Sequence, residues 1–461
     1  MKGGQELRKA PSQSKGLVFI PVEILRREFE GACLLALEAA NRGFEVVLGS
    51  QSLIHWLLKN IPLKRGVYHA KSLRPTKVRL KLLRRLKEKQ FVLTAQDQET
   101  GLLSDSFEPF ARQRFSEESV ELADKYFCWG AHDWSQLRSA FPEFAHIFVN
   151  TGSPRVDMWR SPLAGWQFSL GASPPERYLL FSSHFINNPN FEEKLNLSRP
   201  EGRERVQEFL YFTAGQYKVM SEWVHLIHRI LDEFENLNVV VRPHPSRDAV
   251  TWHSLLPQHP RLTITDEGPI SGWIANCEAL IHSGCTSAIE AKYRGKAVFS
   301  LAPEGVPSSV LRDIPIRTGI LSRSAEQLIG QLESLDASKS MRESPGSHDE
   351  DLANRFGYQE GIRAASGFVD EWEARSTHRR GRDRATQAFT TTLLKWSAYV
   401  IGLAAHKMWE RNQKFEPLPS DTVQQITLLR DAGGFDKRIT IKKVGRLSLF
   451  LGTNEMQTID G

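Results

Sequence analysis

Residues 17–48 read LVFIPVEILRREFEGACLLALEAANRGFEVVL and carry the clearest structural signal in the chain. Leu17–Ile20 is an apolar run typical of a buried strand, and a helical pattern follows from Glu28 to Asn41. Arg42-Gly43 is a usual helix end, and Phe44–Leu48 is a second strand. A strand–helix–strand unit of this kind predicts a parallel sheet with a right-handed crossover.

The same alternation continues along the 461 residues, which are too many for one ordinary core. A break rich in Pro and Gly at 161–175 separates two series of strands, and a helix-rich stretch covers 203–234. The predicted fold class is α/β, with two Rossmann-like doubly wound domains facing a cleft and a C-terminal helical extension. The predicted divisions are 16–160 (first domain), 176–335 (second domain), 336–385 (polar linker) and 386–461 (helix and short hairpin).

Composition and charge narrow the class of protein. Hydrophobic residues make up 40% and the net charge is +6, values typical of a soluble globular protein. No G-x-G-x-x-G follows the first strand, which argues against a standard dinucleotide fold. The four cysteines form no C-x-x-C pair, Met1–Lys15 has no apolar core, and no run of about 18 apolar residues occurs. We therefore expect a cytoplasmic protein, either free or peripheral on the inner face of the cytoplasmic membrane.

Two polar segments each follow an apolar strand. Arg242–Ser246 (RPHPS) follows residues 239–241, and His282–Glu290 (HSGCTSAIE) follows residues 279–281. The carboxyl ends of strands are where open α/β sheets bind ligands. A guanidinium and an imidazole are natural partners of phosphate oxygens, and a Gly- and hydroxyl-rich helix start offers free backbone N–H groups. The pair predicts a site for a phosphorylated donor.

The candidate donor-binding residues are Arg242, His244, Pro245, Ser283, Gly284, Thr286, Ser287 and Glu290. His244 is also a candidate catalytic residue, because an imidazole can stabilise a departing phosphate. Simpler explanations remain open: a His beside Pro is often a turn residue, and Ser or Thr often caps a helix. Glu290 either binds ribose hydroxyls or pairs on the helix surface.

An acidic loop, Asp97–Gly101 (DQETG), follows the strand at 91–94. Asp97 or Glu99 is the candidate general base that would deprotonate an acceptor hydroxyl, although Asp is also common in turns and helix caps. Arg27 and Glu30 open the first helix and are candidate acceptor-binding residues, although a first-turn carboxylate also suits the helix dipole. No spacing suits a catalytic metal, so neither a metal nor a cofactor is expected.

Residues 64–89 are rich in Lys and Arg, with Leu82, Leu83 and Leu86 between them. This segment is either a surface for an anionic bilayer or a solvated helix with one apolar stripe. Aromatic residues do not interleave with the basic ones, so nucleic-acid binding is not expected.

Several short motifs occur together in order, and they resemble those of a family. The motifs are Ile20–Glu23, Arg27–Glu30, Asp97–Gly101, Phe127–Gly130, Thr151–Asp157, and the His-Pro and Ser/Thr segments. Over residues 16–310 the chain resembles bacterial surface carbohydrate biosynthesis proteins, which look like two-domain GT-B glycosyltransferases. The His-Pro and Ser/Thr pair is similar to motifs of bacterial sialyltransferases, Kdo transferases and polyol-phosphate transferases.

The resemblance implies roles for single residues. His244 and Pro245 would face the donor's nucleotide phosphate, with Ser283, Thr286 and Ser287 on its other side. A carboxylate of the acidic loop would serve as general base. Gln98 and Thr100 depart from the commoner all-acidic loop.

The implied function is metal-independent transfer of a sugar from a nucleotide-sugar, of which a CMP-linked acidic sugar is one candidate. The acceptor would be a surface polysaccharide, either a glycan or a lipid-linked glycan. Three alternatives stay open: a polyol-phosphate transferase of the CDP-glycerol type, a non-hydrolysing nucleotide-sugar 2-epimerase, and a non-catalytic scaffold.

Overall fold

The structure is a computed structural model, and it describes residues 14–63, 65–99, 111, 114–160, 162–166, 174–185, 200–244, 250–338, 349–357, 363–376, 393–395, 397 and 418–453. The chain divides into two compact units. Unit 1 combines residues 1–100, 107–166 and 353–461, and unit 2 combines residues 101–106 and 167–352.

Unit 1 is built on an eight-stranded sheet in the described residues. Its strands are β1 (Leu17–Val22), β2 (Glu45–Ser50), β3 (Gly66–Ala70), β4 (Phe91–Ala95), β5 (Lys125–Cys128), β6 (Phe148–Asn150), β13 (Thr440–Val444) and β14 (Ser448–Gly452). The spatial order is β13-β14-β2-β1-β3-β4-β5-β6. Strands β1 to β6 pair in parallel, whereas β14 runs antiparallel to both β13 and β2.

Helices connect the parallel strands of unit 1. They are α1 (Leu25–Asn41), α2 (Gln51–Asn60), α3 (Lys77–Glu88), α4 (Glu117–Glu121), α5 (Ala131–Ala140) and α6 (Pro154–Asp157), with 3₁₀ turns at Pro142–Ile147 and Leu163–Gly165. Strand β1 is buried along its whole length, as expected for a sheet with helices on both faces.

Unit 2 has six parallel strands in the described residues. They are β7 (Tyr178–Ser182), β8 (Asn238–Arg242), β9 (Leu262–Ile264), β10 (Ala279–His282), β11 (Ala297–Leu301) and β12 (Ile320–Ser322). The spatial order β12-β11-β10-β7-β8-β9 is the doubly wound order of a Rossmann fold. The prediction of two Rossmann-like α/β domains is confirmed.

The helices of unit 2 are α7 (Pro200–Glu233), α8 (Val250–Leu255), α9 (Ile270–Asn276), α10 (Ser287–Tyr293), α11 (Ser308–Leu311), α12 (Asp313–Thr318) and α13 (Ala325–Ser338). Helix α14 (Asp349–Phe356) then carries the chain back into unit 1, which α15 (Ala364–Ser376) and α16 (Thr422–Ala432) complete. No helix in the described ranges combines the length and apolar content needed to cross a bilayer.

The segment predicted as a polar linker, 336–385, contains a helix with a buried face. In α15, Phe368 and Trp372 are fully buried. The Phe368 ring stacks on Phe127 with centroids 3.8 Å apart, and the Trp372 indole N–H donates to the Thr94 hydroxyl at 3.0 Å. The prediction rested on the average composition of 50 residues, which is polar. Two aromatic side chains four residues apart on one helix face change that average little, although they are enough to bury the face.

The C-terminal segment also differs from its prediction, because part of it belongs to the sheet of unit 1 and is not a separate extension. A hairpin forms where the alternation of apolar residues predicts one, but its strand β14 joins the sheet of unit 1 beside β2. The helix predicted over residues 393–409 is described only at 393–395 and 397, which are helical, and the rest lies outside the described residues.

Candidate functional site

The strand order of unit 2 places a topological switch point between β7 and β10. Connections leave these two neighbours toward opposite sides of the sheet, and this opens a crevice beyond their carboxyl ends where ligands usually bind. Polar residues follow both strands, Ser183 and His184 after β7 and Ser283–Ser287 after β10. His244 follows β8 on the other side of β7, so the two predicted segments lie about 10 Å apart at one sheet edge.

His244 is half-buried and follows β8, the neighbour of β7, after which His184 lies. Burial lowers the pKa of His184, and the charges of Arg312 and, less, of His244 add to this. Pro245 lies outside the described residues.

Arg242 has a different environment from the one that the sequence predicts. Its guanidinium is buried and donates to the carbonyl oxygens of Glu267 at 2.5 Å and Gly268 at 2.8 Å, and it lies over the Trp273 ring at 5.4 Å. These contacts tie the end of β8 to the loop before α9. Its two terminal nitrogens donate to backbone carbonyls, which gives Arg242 a positioning role, and its predicted contact with the donor stays a prediction.

The first part of the Ser/Thr segment holds its own turn. The Ser283 hydroxyl is fully buried and accepts from the Trp223 indole N–H at 2.9 Å. His282 accepts from the Gly284 N–H at 3.0 Å through Nδ1, so its Nε2 donates to the Ser300 hydroxyl at 2.9 Å. Burial lowers the His282 pKa to about 3, so this imidazole is neutral.

Gly284 has a left-handed backbone with φ +113°, and a Cβ there would overlap the Leu311 carbonyl oxygen. The glycine therefore permits the close approach of the loop that carries Arg312. Gly284 therefore has a role in packing, and this role is different from the phosphate contact that the sequence predicts.

The remaining predicted donor residues lie at the start of α10. The Ser287 hydroxyl donates to the Ser182 hydroxyl at 2.8 Å, and this bond links the ends of β10 and β7. Glu290 is buried and pairs with Arg294 at 3.0 Å, so its carboxylate is already neutralised within the helix. Thr286 is half-buried and its side chain makes no cap hydrogen bond, which leaves it accessible at this edge.

Sequence reasoning missed three residues at the switch point, and the first two are Ser183 and His184. Both are buried, and the Ser183 Oγ and His184 Nδ1 have no hydrogen-bond partner in the described part of the chain. The other ring nitrogen of His184 donates to the Val310 carbonyl at 2.6 Å. The signal was present, because Ser182-Ser183-His184 follows an apolar strand just as the two predicted segments do.

Arg312 is the third missed residue. It is half-buried and follows Val310, whose carbonyl accepts from His184, and Leu311, whose carbonyl oxygen closely approaches Gly284. Burial lowers the pKa of His184, and the Arg312 charge adds to this. Burial of the guanidinium lowers its own pKa. No carboxylate within the described ranges forms an ion pair with it, so a positive charge stands at the switch point. No sequence signal marks Arg312, because it lies between two short helices far along the chain.

Unit 1 has its own switch point, between β1 and β3. A small, partly open pocket lies there, and its lining includes Val22, Glu28, Lys71, Gln96 and Arg155. Lys71 follows β3 and pairs with Glu23 after β1 and with Glu28 at 3.5 Å. Opposite charges from both strands therefore meet at this crevice.

The first helix contributes Arg27 as predicted and Glu28 in addition. The Arg27 guanidinium bridges Glu28 at 3.1 Å and Glu99 at 3.2 Å. Glu28 is buried and accepts the backbone N–H groups of Glu23 and Ile24 at 2.9 and 3.3 Å, so it fixes the turn that leads into α1. The predicted residue Glu30 lies three residues before the buried Cys33 on α1; burial raises the pKa of Cys33, and the charge of Glu30 adds to this.

The two carboxylates of the acidic loop have different surroundings. Asp97 is buried, its Oδ1 accepts the Glu99 N–H at 2.9 Å, and its Oδ2 lies 3.4 Å from Arg114. Burial raises the pKa of Asp97, and Arg114 and Lys71 partly offset this. Glu99 is 35% exposed and pairs with Arg27 and Arg114. Of the two, Glu99 is the one that a ligand can reach, and Asp97 shapes the loop around it.

Neighbouring segments hold this loop in place. The Trp129 indole N–H donates to the Asp97 carbonyl at 2.7 Å, and the Gln96 amide donates to the Gly152 carbonyl at 2.8 Å. Arg155 donates to the Gln98 carbonyl at 3.3 Å. The Phe127–Gly130 and Thr151–Asp157 motifs therefore converge on the acidic loop.

Each unit is thus an α/β domain with charged and hydroxyl side chains at its switch point. No group of His, Cys, Asp and Glu in the described ranges is arranged to hold a metal ion.

No protein-family model matches this sequence, and no curated protein matches it either. Solved structures do match. A structure from Listeria monocytogenes, described as a candidate UDP-N-acetylglucosamine 2-epimerase, is 15% identical, covers 80% of this chain and 98% of its own, and has a TM-score of 0.48. MnaA from S. aureus in complex with UDP is 14% identical, covers 80% and 100%, and has a TM-score of 0.47.

The wall teichoic acid polymerase TagF is also similar, with 10% identity, coverage of 80% of this chain and 90% of its own, and a TM-score of 0.43. With identities this low and TM-scores below 0.5, these structures do not indicate which reaction this chain performs.

Proposed function

We propose that this protein is a glycosyltransferase that moves a sugar from a nucleotide-sugar to a surface polysaccharide acceptor, either a glycan or a lipid-linked glycan. The proposal rests on the arrangement at the switch point of unit 2, where Ser183 and His184 follow β7 and His244 follows the neighbouring strand β8. His184 bonds to the Val310 carbonyl, two residues before Arg312. A guanidinium without a carboxylate partner in the described residues, beside the buried and unsatisfied Ser183 hydroxyl, is suited to phosphate oxygens.

In this proposal unit 2 binds the donor, and its cationic groups stabilise the phosphate that departs when the sugar is transferred. Positive charge and hydrogen-bond donors from side chains supply what a metal ion would otherwise supply. We therefore expect transfer to proceed in the presence of a chelator.

Unit 1 would bind the acceptor. Glu99 is the proposed general base, because it is the accessible carboxylate of the loop and Arg27 and Arg114 orient it. Asp97 is a positioning residue that fixes the turn through its bond to the Glu99 N–H. Arg27 would serve acceptor binding from the same cluster.

The donor nucleotide is proposed to be CMP. The motif resemblance favours a CMP-linked acidic sugar, and thermal-shift measurements with CMP, CDP, UDP and GDP would identify the donor class. A nucleotide that binds the native state raises its melting temperature by mass action. The expected result is that CMP gives the largest rise.

The decisive experiment compares transfer by wild type, His244→Ala and Arg312→Gln, with His253→Ala as control because His253 is exposed on α8. Loss of one phosphate-stabilising group should lower kcat about a hundredfold, and the control should be unchanged. Normal turnover by His244→Ala would refute the donor-site assignment. Conversion of nucleotide-sugar without acceptor would indicate an epimerase, and transfer from CDP-glycerol would indicate a polyol-phosphate transferase.

A further inference from the structure

Helix α3 carries an exposed stripe that is almost entirely basic. Its exposed positions are Lys77, Val78, Lys81, Arg84, Arg85 and Glu88, which lie on one side of a helix with 3.6 residues per turn. The opposite side buries Leu83 and Leu86 in the core of unit 1. The stripe thus has four cations and one carboxylate.

Neighbouring acids neutralise only part of this charge. Arg84 pairs with Glu118, and on an adjacent side of the helix Lys87 pairs with Asp124 at 2.8 Å. In the described part of the chain, no carboxylate forms an ion pair with Lys77, Lys81 or Arg85.

Helix α2 extends the same surface. Arg85 donates to the Lys59 carbonyl at 2.9 Å, and Lys89 donates to the Leu58 carbonyl at 2.8 Å, so the ends of α2 and α3 adjoin. Lys59 and, before α3, Arg74 are exposed. We call the set Lys59, Arg74, Lys77, Lys81 and Arg85 the basic face.

Two apolar side chains are exposed on the same two helices. Val78 is 80% exposed within the stripe, and Trp56 on α2 is 40% exposed. Apolar and aromatic side chains among cations are typical of surfaces that lie at the headgroup level of a bilayer.

The start of α3 is also close to the pocket of unit 1. Arg79, in the first turn, donates to the Ser72 hydroxyl at 2.7 Å, and Ser72 follows Lys71 of the pocket lining. The basic face therefore begins at the sheet edge that holds the pocket of unit 1.

We propose that the basic face docks unit 1 onto an anionic bilayer surface. Anionic headgroups complement its charge, and Val78 and Trp56 suit the interfacial layer. Such docking would keep the pocket of unit 1 beside the membrane, where a lipid-linked acceptor would be held. The docking itself goes beyond the proposed function and does not depend on sugar transfer.

The test is co-sedimentation of the full chain with vesicles of phosphatidylcholine alone and of phosphatidylcholine mixed with phosphatidylglycerol. Wild type should bind the anionic vesicles only, and binding should weaken as salt rises. Removing each cation should lower the partition coefficient roughly fivefold, so Lys77→Glu/Lys81→Glu should lower it at least about 25-fold.

The control variant is Lys437→Glu/Arg438→Glu, which changes the net charge equally at exposed positions elsewhere in unit 1. It should bind as wild type does. Equal losses in both variants, or no binding of wild type to anionic vesicles, would overturn the proposal. Tighter binding of wild type to duplex DNA than to the vesicles would identify a nucleic acid as the partner and overturn it too. Because none of these readouts involves sugar transfer, failure here is distinguishable from failure of the proposed function.

Discussion

At the scale of single residues, the switch point of unit 2 depends on close backbone approach. Gly284 lets the Leu311 carbonyl approach, and Leu311 precedes Arg312, the cation of the proposed phosphate site. His282, which is neutral and buried, fixes the same turn by accepting the Gly284 N–H. The sequence segment HSGCT therefore supplies the architecture of the site more than its ligand contacts.

Replacing Gly284 by Ala should lower the free energy of unfolding of unit 2 by roughly 3 kcal/mol, because a Cβ adds both strain at positive φ and a clash with Leu311. Gly295→Ala is the matched control, since Gly295 has φ +69° but nothing within 4 Å of its Cβ position. That variant should lose only about 1 kcal/mol. Denaturant unfolding of both variants measures the difference, and equal losses would argue against the clash.

The sequence predicted where the candidate site of unit 2 lies, but it did not predict which contacts its side chains make. The rule that polar residues after apolar strands lie at one sheet edge located His244 and the His282–Ser287 segment. It could not show that Arg242 is taken up by carbonyl oxygens or that Glu290 is paired with Arg294, because these partners depend on tertiary packing. Arg312 was invisible for the same reason.

At the scale of elements, apolar runs predicted the central strands well, because a parallel sheet covered on both faces has continuous apolar strands. Strand β3 was missed because Gly66–Ala70 is short and lies inside a strongly basic segment. The buried face of α15 was missed because it lies within a polar stretch. The position of β14 beside β2 was not predictable, because strands about 400 residues apart in the sequence leave no local signal of their pairing.

Strand β14 should contribute to the core of unit 1 although it comes from the far end of the chain. Phe450 is 2% exposed, belongs to that core and pairs with Val47 of β2. Phe450→Ala should therefore lower the free energy of unfolding of unit 1 by about 3–5 kcal/mol.

Lys442→Ala on β13 is the control for this variant, because Lys442 faces Phe450 across the hairpin but is only half-buried. It should cost less than about 1 kcal/mol. Urea unfolding of the two variants measures both values. A Phe450→Ala loss as small as that of Lys442→Ala would mean that the hairpin does not support the sheet.

At the scale of the whole molecule, the two units differ in their buried titratable groups. In unit 2, burial lowers the pKa values of His184 and His282 to about 3, and no described Asp or Glu of that unit has a raised pKa. In unit 1, burial lowers the pKa of His69 to about 3 and that of His55 to about 4, but it raises that of Asp133 to about 8. The acid sensitivities of the units should therefore differ.

Whether acid stabilises or destabilises each unit depends on which state, folded or unfolded, takes up more protons. As pH falls below about 6.5, the imidazole becomes protonated in the unfolded state but stays neutral in the folded state. Each such His therefore lowers the free energy of unfolding as the pH falls. A buried carboxyl group with a raised pKa has the opposite effect, because the folded state holds the proton that the unfolded state releases above about pH 4. Asp133 therefore offsets the histidines of unit 1.

We expect unit 2 to lose thermal stability faster than unit 1 between pH 6.5 and 4.5. Calorimetry over this range should show two transitions moving apart, and the Gly284→Ala variant identifies the transition of unit 2. Transitions that move together, or a faster loss in unit 1, would contradict this assignment. In Asp133→Asn the offset is removed, so the transition of unit 1 should become more sensitive to acid.

The return of residues 353–461 to unit 1 has a consequence for biosynthesis. A ribosome releases the six parallel strands of unit 1 first, then the strands of unit 2, and β13 and β14 after them. Until β14 emerges, no other strand in the described ranges pairs with that edge of β2, and an open strand edge recruits other chains. Nascent copies that stall before residue 448 should thus be prone to aggregate, whereas unit 2 can already be native by then.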